Sequence, residues 1–204
     1  MSEGLGLIVD NCRHLETINA LNSVPVTFGA VDQRALPKQW WPPLIVENQG
    51  STNSCAGHTS ALASSHANFV ATGDVVRFSR RFAYVTAQHY GGFSGRDGGT
   101  SVGSLLDAQK DLGCCLEVDD PFTERYDPTW TQEAARHAAK HKHHGDVPYD
   151  LRDWDQAIEW LTDKRCILMG SLWTSGQDNC RGIEDRSVGT SGSRRGYHAR
   201  LLVG

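Results

Sequence analysis

The sequence lacks the features that mark membrane proteins and nucleic-acid-binding proteins. None of its apolar stretches is long enough to cross a bilayer as a helix, and the N-terminal segment Met1-Ser2-Glu3-Gly4 has neither the basic nor the apolar region of a signal peptide. Basic residues are not in excess, since 20 Lys and Arg stand against 24 Asp and Glu. We therefore expect neither nucleic acid nor a membrane as a partner, and a cytoplasmic location.

The rest of the composition is that of a soluble globular protein. Hydrophobic residues make up 39% and charged residues 22% of the chain. A chain of 204 residues can bury a substantial core, either as one domain or as two small lobes. Predicted helices come first and predicted strands later, which is typical of an α+β protein with a helical lobe and a sheet-rich lobe.

A polar loop that contains a glycine leads into a cysteine at the start of a predicted helix. The loop covers residues 46–54, and a run rich in Ala, Ser and Leu follows Cys55. A helix N-terminus carries the positive end of the dipole and unpaired backbone N–H groups, and both favour the nucleophilic thiolate over the thiol. Gln49 lies six residues before Cys55, and its side-chain amide can return to the cysteine and donate to an oxyanion.

Three segments resemble papain-like (C1-type) cysteine peptidases, and they occur in the order of that family. Gln49-Gly50-x-x-x-Ser54-Cys55 is similar to the family's active-site loop. Upstream, Leu36-Pro37 followed by Trp40-Trp41 is similar to the start of the mature peptidase. Downstream, residues 196–204 resemble the segment that carries the catalytic histidine, which is His198 here. The resemblance implies the two-lobed papain-like fold, with a helical left lobe and an antiparallel sheet or partial barrel as the right lobe.

The resemblance also implies a mechanism and a substrate. His198 would take the proton of Cys55, and the thiolate would attack a peptide carbonyl to form a thioester. Gln49 would stabilise the oxyanion together with the backbone N–H of the cysteine. Gly98 and Gly99 resemble the family's substrate-cleft wall, where a missing Cβ lets an extended peptide approach the backbone; a flexible connector is the alternative for this loop. The implied partner is a peptide or protein substrate, with no cofactor and no metal.

The sequence departs from the family's pattern at its C-terminal end and beside the nucleophile. The family orients its histidine with an asparagine in a later Asn-Ser-Trp motif, whereas this sequence ends at Gly204, six residues after His198. The last barrel strands are missing with it. We therefore expect a fragment, a protein partner that completes the C-terminal sheet, or a domain that does not need to be an enzyme. Ala56 replaces the family's usual aromatic residue, so substrate preference does not carry over.

The cysteines are expected to be free thiols. Secreted members of the resembled family join a cysteine three residues before the nucleophile to one just before the Gly-Gly pair. Those positions are Thr52 and Arg96 here. The absence of both ends fits a reducing compartment, where disulfides do not persist. The six cysteines are Cys12, Cys55, Cys114, Cys115, Cys166 and Cys180.

Two regions are predicted. Residues 1–35 form an N-terminal arm with a short strand near residues 5–9, and residues 36–204 form the papain-like domain. Within this domain the helical lobe covers about residues 50–120 and the sheet lobe about residues 121–204.

Hydrophobic periodicity predicts the elements of both lobes. Apolar residues at spacings of three and four predict helices over residues 59–70, 102–112 and 151–162. Short apolar runs predict strands over residues 166–173 and 197–203, the second with His198 at its start. The first of these helices is expected to end at Thr72-Gly73-Asp74, with the glycine near its C-terminal cap. A further helix is expected to begin near Ser79, which is a favourable N-cap residue.

A last helix is predicted over residues 129–144. Its His137 and His141 are four residues apart, a spacing that can chelate a metal. No acidic third ligand is near in sequence, and lysines lie between the histidines. We therefore interpret this end of the helix as a solvated basic surface, with metal binding as the alternative.

Three functions are compatible with the sequence. The leading hypothesis is a cysteine peptidase, because Gln49, Cys55 and His198 are all present. The second is a weakly active or inactive papain-like domain that serves as a structural or binding part of a larger assembly such as a virus particle. The third is another thiol chemistry on a similar fold, such as that of an amidase or acyltransferase.

Overall fold

The computed structural model describes residues 47–142, 154–176 and 192–203, and the backbone of a short N-terminal strand. For residues 154–156 it describes the backbone only. The helices of these regions are α1 (Cys55–Thr72), α2 (Arg80–Gly91), α3 (Val102–Asp111), α4 (Gln132–Ala138) and α5 (Trp154–Thr162). The strands are β1 (Leu7–Ile8), β2 (Thr100–Ser101), β3 (Ile167–Thr174) and β4 (Arg194–Leu202). No helix in these regions has the length and apolar character that a membrane span requires.

The ends of the first helices follow local sequence signals. Ser79 caps α2, because its Oγ accepts a hydrogen bond from the Phe82 backbone N–H at 2.9 Å. Gly73 ends α1 in a left-handed conformation with φ of 81°, and its N–H donates to the Phe69 carbonyl at 2.8 Å. The predictions for both ends are confirmed. α1 begins at Cys55, as predicted for a cysteine at a helix N-terminus, four residues before the periodic segment that starts at residue 59.

The helical lobe depends on a close contact between α1 and α2 at Gly57. A Cβ atom at this position would lie 2.6 Å from the Arg80 carbonyl oxygen and 2.6 Å from the Tyr84 Cβ. Real Cβ atoms do not approach backbone atoms this closely, so only glycine allows the two helices to pack at this distance. Gly57 lies two residues after Cys55, and this contact therefore sets where the start of α1 lies on the helical lobe.

Replacing Gly57 with alanine is expected to lower the free energy of unfolding by about 3 kcal/mol, because the added methyl group overpacks a fully buried contact. The measurement is a urea denaturation midpoint with an unchanged m-value. Gly73→Ala is the control, since a Cβ there meets open space and carries only the backbone cost of a positive φ, about 1 kcal/mol. Equal losses in the two variants would contradict the close-packing argument.

The sheet lobe is built on an antiparallel pair. β3 and β4 pair from Ile167 opposite Leu202 to Thr174 opposite Arg194, with a register shift between Trp173 and Thr174. This confirms the α+β class and the antiparallel sheet predicted for the second part of the chain. β1 pairs with β2 in parallel, with Leu7 opposite Thr100. The segment of the predicted N-terminal arm that the structure describes thus lies against the helical lobe.

The helix predicted over residues 129–144 is too long. α4 ends at Ala138, and the next backbone bonds join residues three apart, with the His141 N–H donating to the Ala138 carbonyl at 2.8 Å. The His141 carbonyl then accepts from the Cys114 N–H at 3.2 Å. At this end the helix lies against Gly113, where a Cβ would meet the Ala138 carbonyl oxygen at 2.0 Å. His143 and His144, which belong to the predicted helix, lie outside the described residues.

The second strand of the sheet lobe is longer than predicted. β4 begins at Arg194, three residues before the predicted start at residue 197, so His198 lies in the middle of the strand and not at its start. The earlier start has a tertiary cause, since Thr174 of β3 pairs with Arg194 and the Ser175 N–H donates to the Ser193 carbonyl at 2.9 Å. The predicted boundary at residue 35, and the motifs at residues 36–41, lie outside the described residues.

Candidate active site

The loop before α1 is held by its own side chains. The Gly50 N–H donates to the Asn48 side-chain oxygen at 2.9 Å, and Gly50 has a φ of 58° that favours glycine. The Thr52 hydroxyl donates to the Gln49 carbonyl at 2.8 Å, and the Gln49 side-chain amide donates to the Thr52 carbonyl at 2.8 Å. These reciprocal bonds fix the Gln49 side chain in a defined position beside the start of α1.

Cys55 is the first residue of α1 and lies where the two lobes meet. Its side chain is 1% exposed and packs with Ala56 and with Ala199 of β4. The sequence predicted its place at a helix N-terminus, where the dipole and the unpaired N–H groups favour a thiolate. α1, which begins at the predicted nucleophile, therefore packs against β4, the strand that carries the predicted base His198.

A single cavity brings the three predicted catalytic residues together. Its volume is about 330 Å³, and Gln49, Cys55 and His198 all line it. Apolar side chains of α1 and of the segment before α2, among them Leu62 and Val75, form another part of its wall. The sequence-based prediction grouped these catalytic residues only through a resemblance, and the structure places them around one space.

His198 lies in a pocket that favours the neutral imidazole. Burial, together with the positive charges of Arg200 and His58, lowers its pKa to about 4. The ring meets the Trp173 ring edge-on, with centroids 4.8 Å apart, and Arg200 lies over the same tryptophan at 4.7 Å. Among the described residues, Nδ1 of His198 has no hydrogen-bond partner. A neutral imidazole is the form that can accept the proton of a thiol.

Sequence reasoning did not identify three side chains that surround His198. Trp173 lies in β3, outside the motifs, and Arg200 lies in β4 two residues after His198, within a motif that was used only to place the histidine. His58 lines the same cavity, its Nδ1 lies 3.1 Å from the Ser54 carbonyl oxygen, and its pKa is lowered, chiefly by burial. Only alternation along a strand could have indicated Arg200, because residues two apart share a face.

The predicted substrate-binding glycines do not line this cavity. Gly98 is exposed, whereas Gly99 is buried and has both backbone groups bonded inside the protein. The Gly99 N–H donates to the Tyr84 hydroxyl at 3.0 Å, and the Gly99 carbonyl accepts from the Gln88 side-chain amide at 3.0 Å. Of the pair, Gly98 is the residue that presents its surface to solvent.

The loop that contains Gly98 and Gly99, here called the glycine loop, is nevertheless bonded to the loop before Cys55, here called the nucleophile loop. The Asn53 N–H donates to the Asp97 carboxylate, and the Asn53 side-chain amide donates to the Asp97 carbonyl at 2.6 Å. Thr52 and Arg96, the positions where the resembled family has disulfide cysteines, are the sequence neighbours of these two residues. Hydrogen bonds therefore join the same two segments that the secreted members join covalently.

The two histidines with metal-binding spacing have separate environments. Nδ1 of His137 lies 2.7 Å from an Asp119 carboxylate oxygen, and the His141 ring packs edge-on against Phe78 with centroids 5.3 Å apart. Across residues 47–142, 154–176 and 192–203, no three side chains of the His, Cys, Asp and Glu types are arranged to hold a metal ion.

The described cysteines are free thiols. Burial raises the pKa of Cys114 well above its ordinary range and the pKa of Cys115 to about 12, so both stay protonated and unreactive at neutral pH. Cys166 is a half-buried thiol that forms no disulfide with the other described cysteines. Cys12 and Cys180 lie outside the described residues. Cys55 differs from these other described thiols because it lines a cavity with a histidine on the facing wall.

A helical lobe with a cysteine at the N-terminus of its long helix, facing a histidine on an antiparallel strand, is the architecture of a papain-like protein. The chain has this fold. It is similar to xylellain, a cysteine protease from Xylella fastidiosa, with 19% identity and a TM-score of 0.74 over 99% of this chain and 80% of that chain. The resemblance noted in the sequence is thus confirmed at the level of the fold.

Two other solved structures share the fold at lower similarity. Digestive procathepsin L 3 from the larval midgut of Tenebrio molitor has 18% identity and a TM-score of 0.59, covering 78% of this chain and 50% of that chain. Procathepsin B S9 from Trypanosoma congolense has 14% identity and a TM-score of 0.57, covering 98% and 70% respectively. No protein-family model and no curated protein sequence matches the chain.

Proposed function

We propose that this chain is a cysteine peptidase that hydrolyses peptide bonds through Cys55 and His198. The observation that carries the proposal is the cavity of about 330 Å³ lined by Gln49, Cys55 and His198 together. The papain-like fold supports it, since the structures it resembles are cysteine proteases and their precursors. Geometry and fold thus point to the same chemistry.

The proposed reaction uses these residues in order. The neutral imidazole of His198 accepts the proton of Cys55, and the thiolate sulfur forms a bond to the peptide carbonyl carbon. The resulting oxyanion accepts hydrogen bonds from the Cys55 backbone N–H and from the Gln49 side-chain amide. The imidazolium then donates its proton to the leaving amine as the C–N bond breaks. Water then attacks the thioester carbon and gives a proton to His198. The C–S bond breaks, the acid is released, and the Cys55 thiolate takes the proton from the imidazolium to restore the thiol and the neutral histidine.

We propose that Trp173 orients His198 in place of the family's asparagine. Its ring meets the imidazole edge-on at 4.8 Å, which limits rotation of the histidine without a hydrogen bond. An apolar contact holds the ring plane but does not stabilise an imidazolium as an amide oxygen does. Arg200 on the same tryptophan opposes the imidazolium charge. We therefore expect the thiolate of Cys55 to be the main counter-charge for protonated His198.

Labelling of Cys55 by iodoacetamide across pH tests the proposed function. We expect rapid labelling well below the ordinary thiol pKa of about 8.5. The labelling should persist down to about pH 4 and fall below it, because protonated His198 cannot accept a proton there. Mass spectrometry locates the label, with Cys55→Ser and His198→Ala as controls. Labelling of Cys55 no faster than that of Cys166 would show that the dyad is not assembled.

We further propose that Gly98 contacts the peptide backbone of the substrate. Its surface is exposed, and a Cβ there would meet only the flexible Arg96 side chain, at 3.4 Å from Nε. Gly98→Ala is therefore expected to fold normally but to raise KM for a peptide roughly tenfold, the effect of one displaced backbone hydrogen bond. In this variant, the rate at which iodoacetamide labels Cys55 should equal that of the wild type. An unchanged KM would favour the alternative, that the glycine loop is only a connector.

A binding role remains the second candidate, and the sheet lobe favours it. Within the described residues, β3 and β4 pair only with each other, so the two-stranded sheet has backbone edges that a partner strand can extend. A protein partner that completes this sheet would make the chain part of a larger assembly. Size-exclusion chromatography separates the candidates, since an active monomer supports the peptidase and an obligate complex without Cys55 labelling supports the binding role.

A further inference from the structure

The carboxylate of Asp97 lies between the nucleophile loop and the glycine loop. Both of its oxygens accept from the Asn53 backbone N–H, at 3.0 Å and 3.1 Å. Asn53 returns a bond from its side-chain amide to the Asp97 carbonyl at 2.6 Å. Asn53 is two residues before Cys55, and Asp97 is one residue before Gly98. The two residues thus join the nucleophile loop to the glycine loop over 44 positions of sequence.

Tyr84 connects the same carboxylate to the buried glycine. Its hydroxyl donates to an Asp97 carboxylate oxygen at 2.7 Å and accepts from the Gly99 N–H at 3.0 Å. Tyr84 is 3% exposed, and burial together with Asp97 raises its pKa far above its ordinary value, so the phenol keeps its proton and remains a donor. The hydroxyl therefore connects Asp97 to Gly99 through two consecutive hydrogen bonds.

Gln88 holds the glycine loop from the other side. Its side-chain nitrogen lies 3.0 Å from the carbonyl oxygens of Arg96 and Gly99, and its oxygen accepts from the Tyr126 hydroxyl at 2.7 Å. The Gln88 side chain is fully buried. Because buried polar groups are costly to leave unpaired, this arrangement gives the glycine loop one defined position on α2.

We propose that Asp97 is a positioning residue that sets the glycine loop against the nucleophile loop, so that a peptide lying on Gly98 presents its carbonyl to Cys55. The proposal rests on the proposed peptidase function for its substrate but not for its geometry. Asp97 alone bonds to both the Asn53 N–H and the Tyr84 hydroxyl. Oδ1 of Asp97 accepts from both donors, and Oδ2 accepts a second bond from the Asn53 N–H at 3.1 Å. An asparagine at position 97 places an NH₂ group, which cannot accept, on one side, and leaves one neutral oxygen for both donors, so both bonds are weakened.

Amide hydrogen exchange measured by NMR tests the geometry without any need for activity. In Asp97→Asn, exchange at the Asn53 and Gly99 amides should both become about tenfold faster, although Gly99 bonds to Tyr84 and not to Asp97 itself. Tyr84→Phe should speed exchange at Gly99 alone, and it provides a second variant if Asp97→Asn does not fold. Acceleration limited to Asn53 in Asp97→Asn would overturn the proposal.

A matched control separates positioning from general stability. Asp119→Asn removes a carboxylate of the same lobe that accepts from the Leu116 N–H at 3.3 Å and contacts His137 at 2.7 Å. This variant should lower the unfolding temperature without changing exchange at Asn53 or Gly99. Equal acceleration at these two amides in Asp119→Asn would overturn the specific role of Asp97.

Steady-state kinetics on the same variants test the consequence for a peptide. Asp97→Asn should raise KM about tenfold with a smaller change in kcat, while iodoacetamide labelling of Cys55 stays within about twofold of wild type. If wild-type Cys55 labels slowly, the proposed function fails, and amide exchange still decides the role of Asp97. An unchanged KM in an active protein would overturn the positioning role.

Discussion

The Cys55→Ser variant is expected to lose peptide hydrolysis by a factor of about 10⁴ or more, since removal of a catalytic nucleophile has effects of this size. A serine hydroxyl at this position has a much higher pKa than a thiol, and the neutral, buried His198 is too weak a base to activate it. The measurement is kcat/KM with a fluorogenic peptide. The fold should be unchanged, because serine occupies nearly the same volume in the buried site.

Cys166→Ser is the matched control for this prediction. Cys166 is a half-buried thiol that does not line the cavity. We expect its replacement to leave kcat/KM within about twofold of the wild type, as for a substitution outside the site. Hydrolysis that survives in Cys55→Ser but is lost in Cys166→Ser would place the nucleophile elsewhere and refute the proposed site.

The His198→Ala variant is expected to show the second largest loss, about 10³-fold in kcat/KM for a peptide, which is typical for removal of a general base and acid. The truncation leaves a space in the wall of a cavity of about 330 Å³. Added imidazole should enter this space and restore part of the activity in proportion to its concentration. A structural defect would not respond to imidazole, so the rescue identifies the chemical role.

His89→Ala is the control for nonspecific effects of removing a histidine. His89 is exposed on α2 and does not line the cavity that contains Cys55. We expect normal activity and no response to imidazole. If His198→Ala keeps full activity, or loses it without rescue while its unfolding temperature also falls, His198 is not the base and the peptidase mechanism fails.

The two variants together also separate the three functional hypotheses. A peptidase loses hydrolysis of peptides in both variants. An amidase or acyltransferase shows the same dependence on Cys55 and His198, but with small amides as the better substrates. A binding domain shows no hydrolysis in the wild type, and its partner should bind equally well to Cys55→Ser. Each outcome assigns the thiol a different role.

Local sequence signals were sufficient to predict much of the secondary structure of the helical lobe. Ser79 and Gly73 marked helix ends correctly, because a cap depends on residues within one turn. The two main strands were also located, since short apolar runs bounded by charge or glycine favour strands. The prediction was wrong where distant residues decide an end, at α4, which stops against Gly113, and at Arg194, which pairs with Thr174.

The features of the candidate site also fall into those that the sequence predicts and those that only the fold decides. The amino-acid sequence by itself determined the α+β class, the helix that begins at a cysteine, and the motifs around Gln49, Cys55 and His198 that resemble one family. Only the tertiary structure decided that these three side chains line one cavity, because 143 residues separate the cysteine from the histidine. The surroundings of that cavity also depend on the fold.

Trp173 reaches His198 from the paired strand β3, and Asp97 reaches Asn53 across 44 positions. Hydrogen bonds and ring contacts of this kind act over a few ångströms in space, so no spacing along the chain predicts them. A motif records which chemical groups are available. Packing of α1 against β4 and of the glycine loop against α2 decides which of those groups meet.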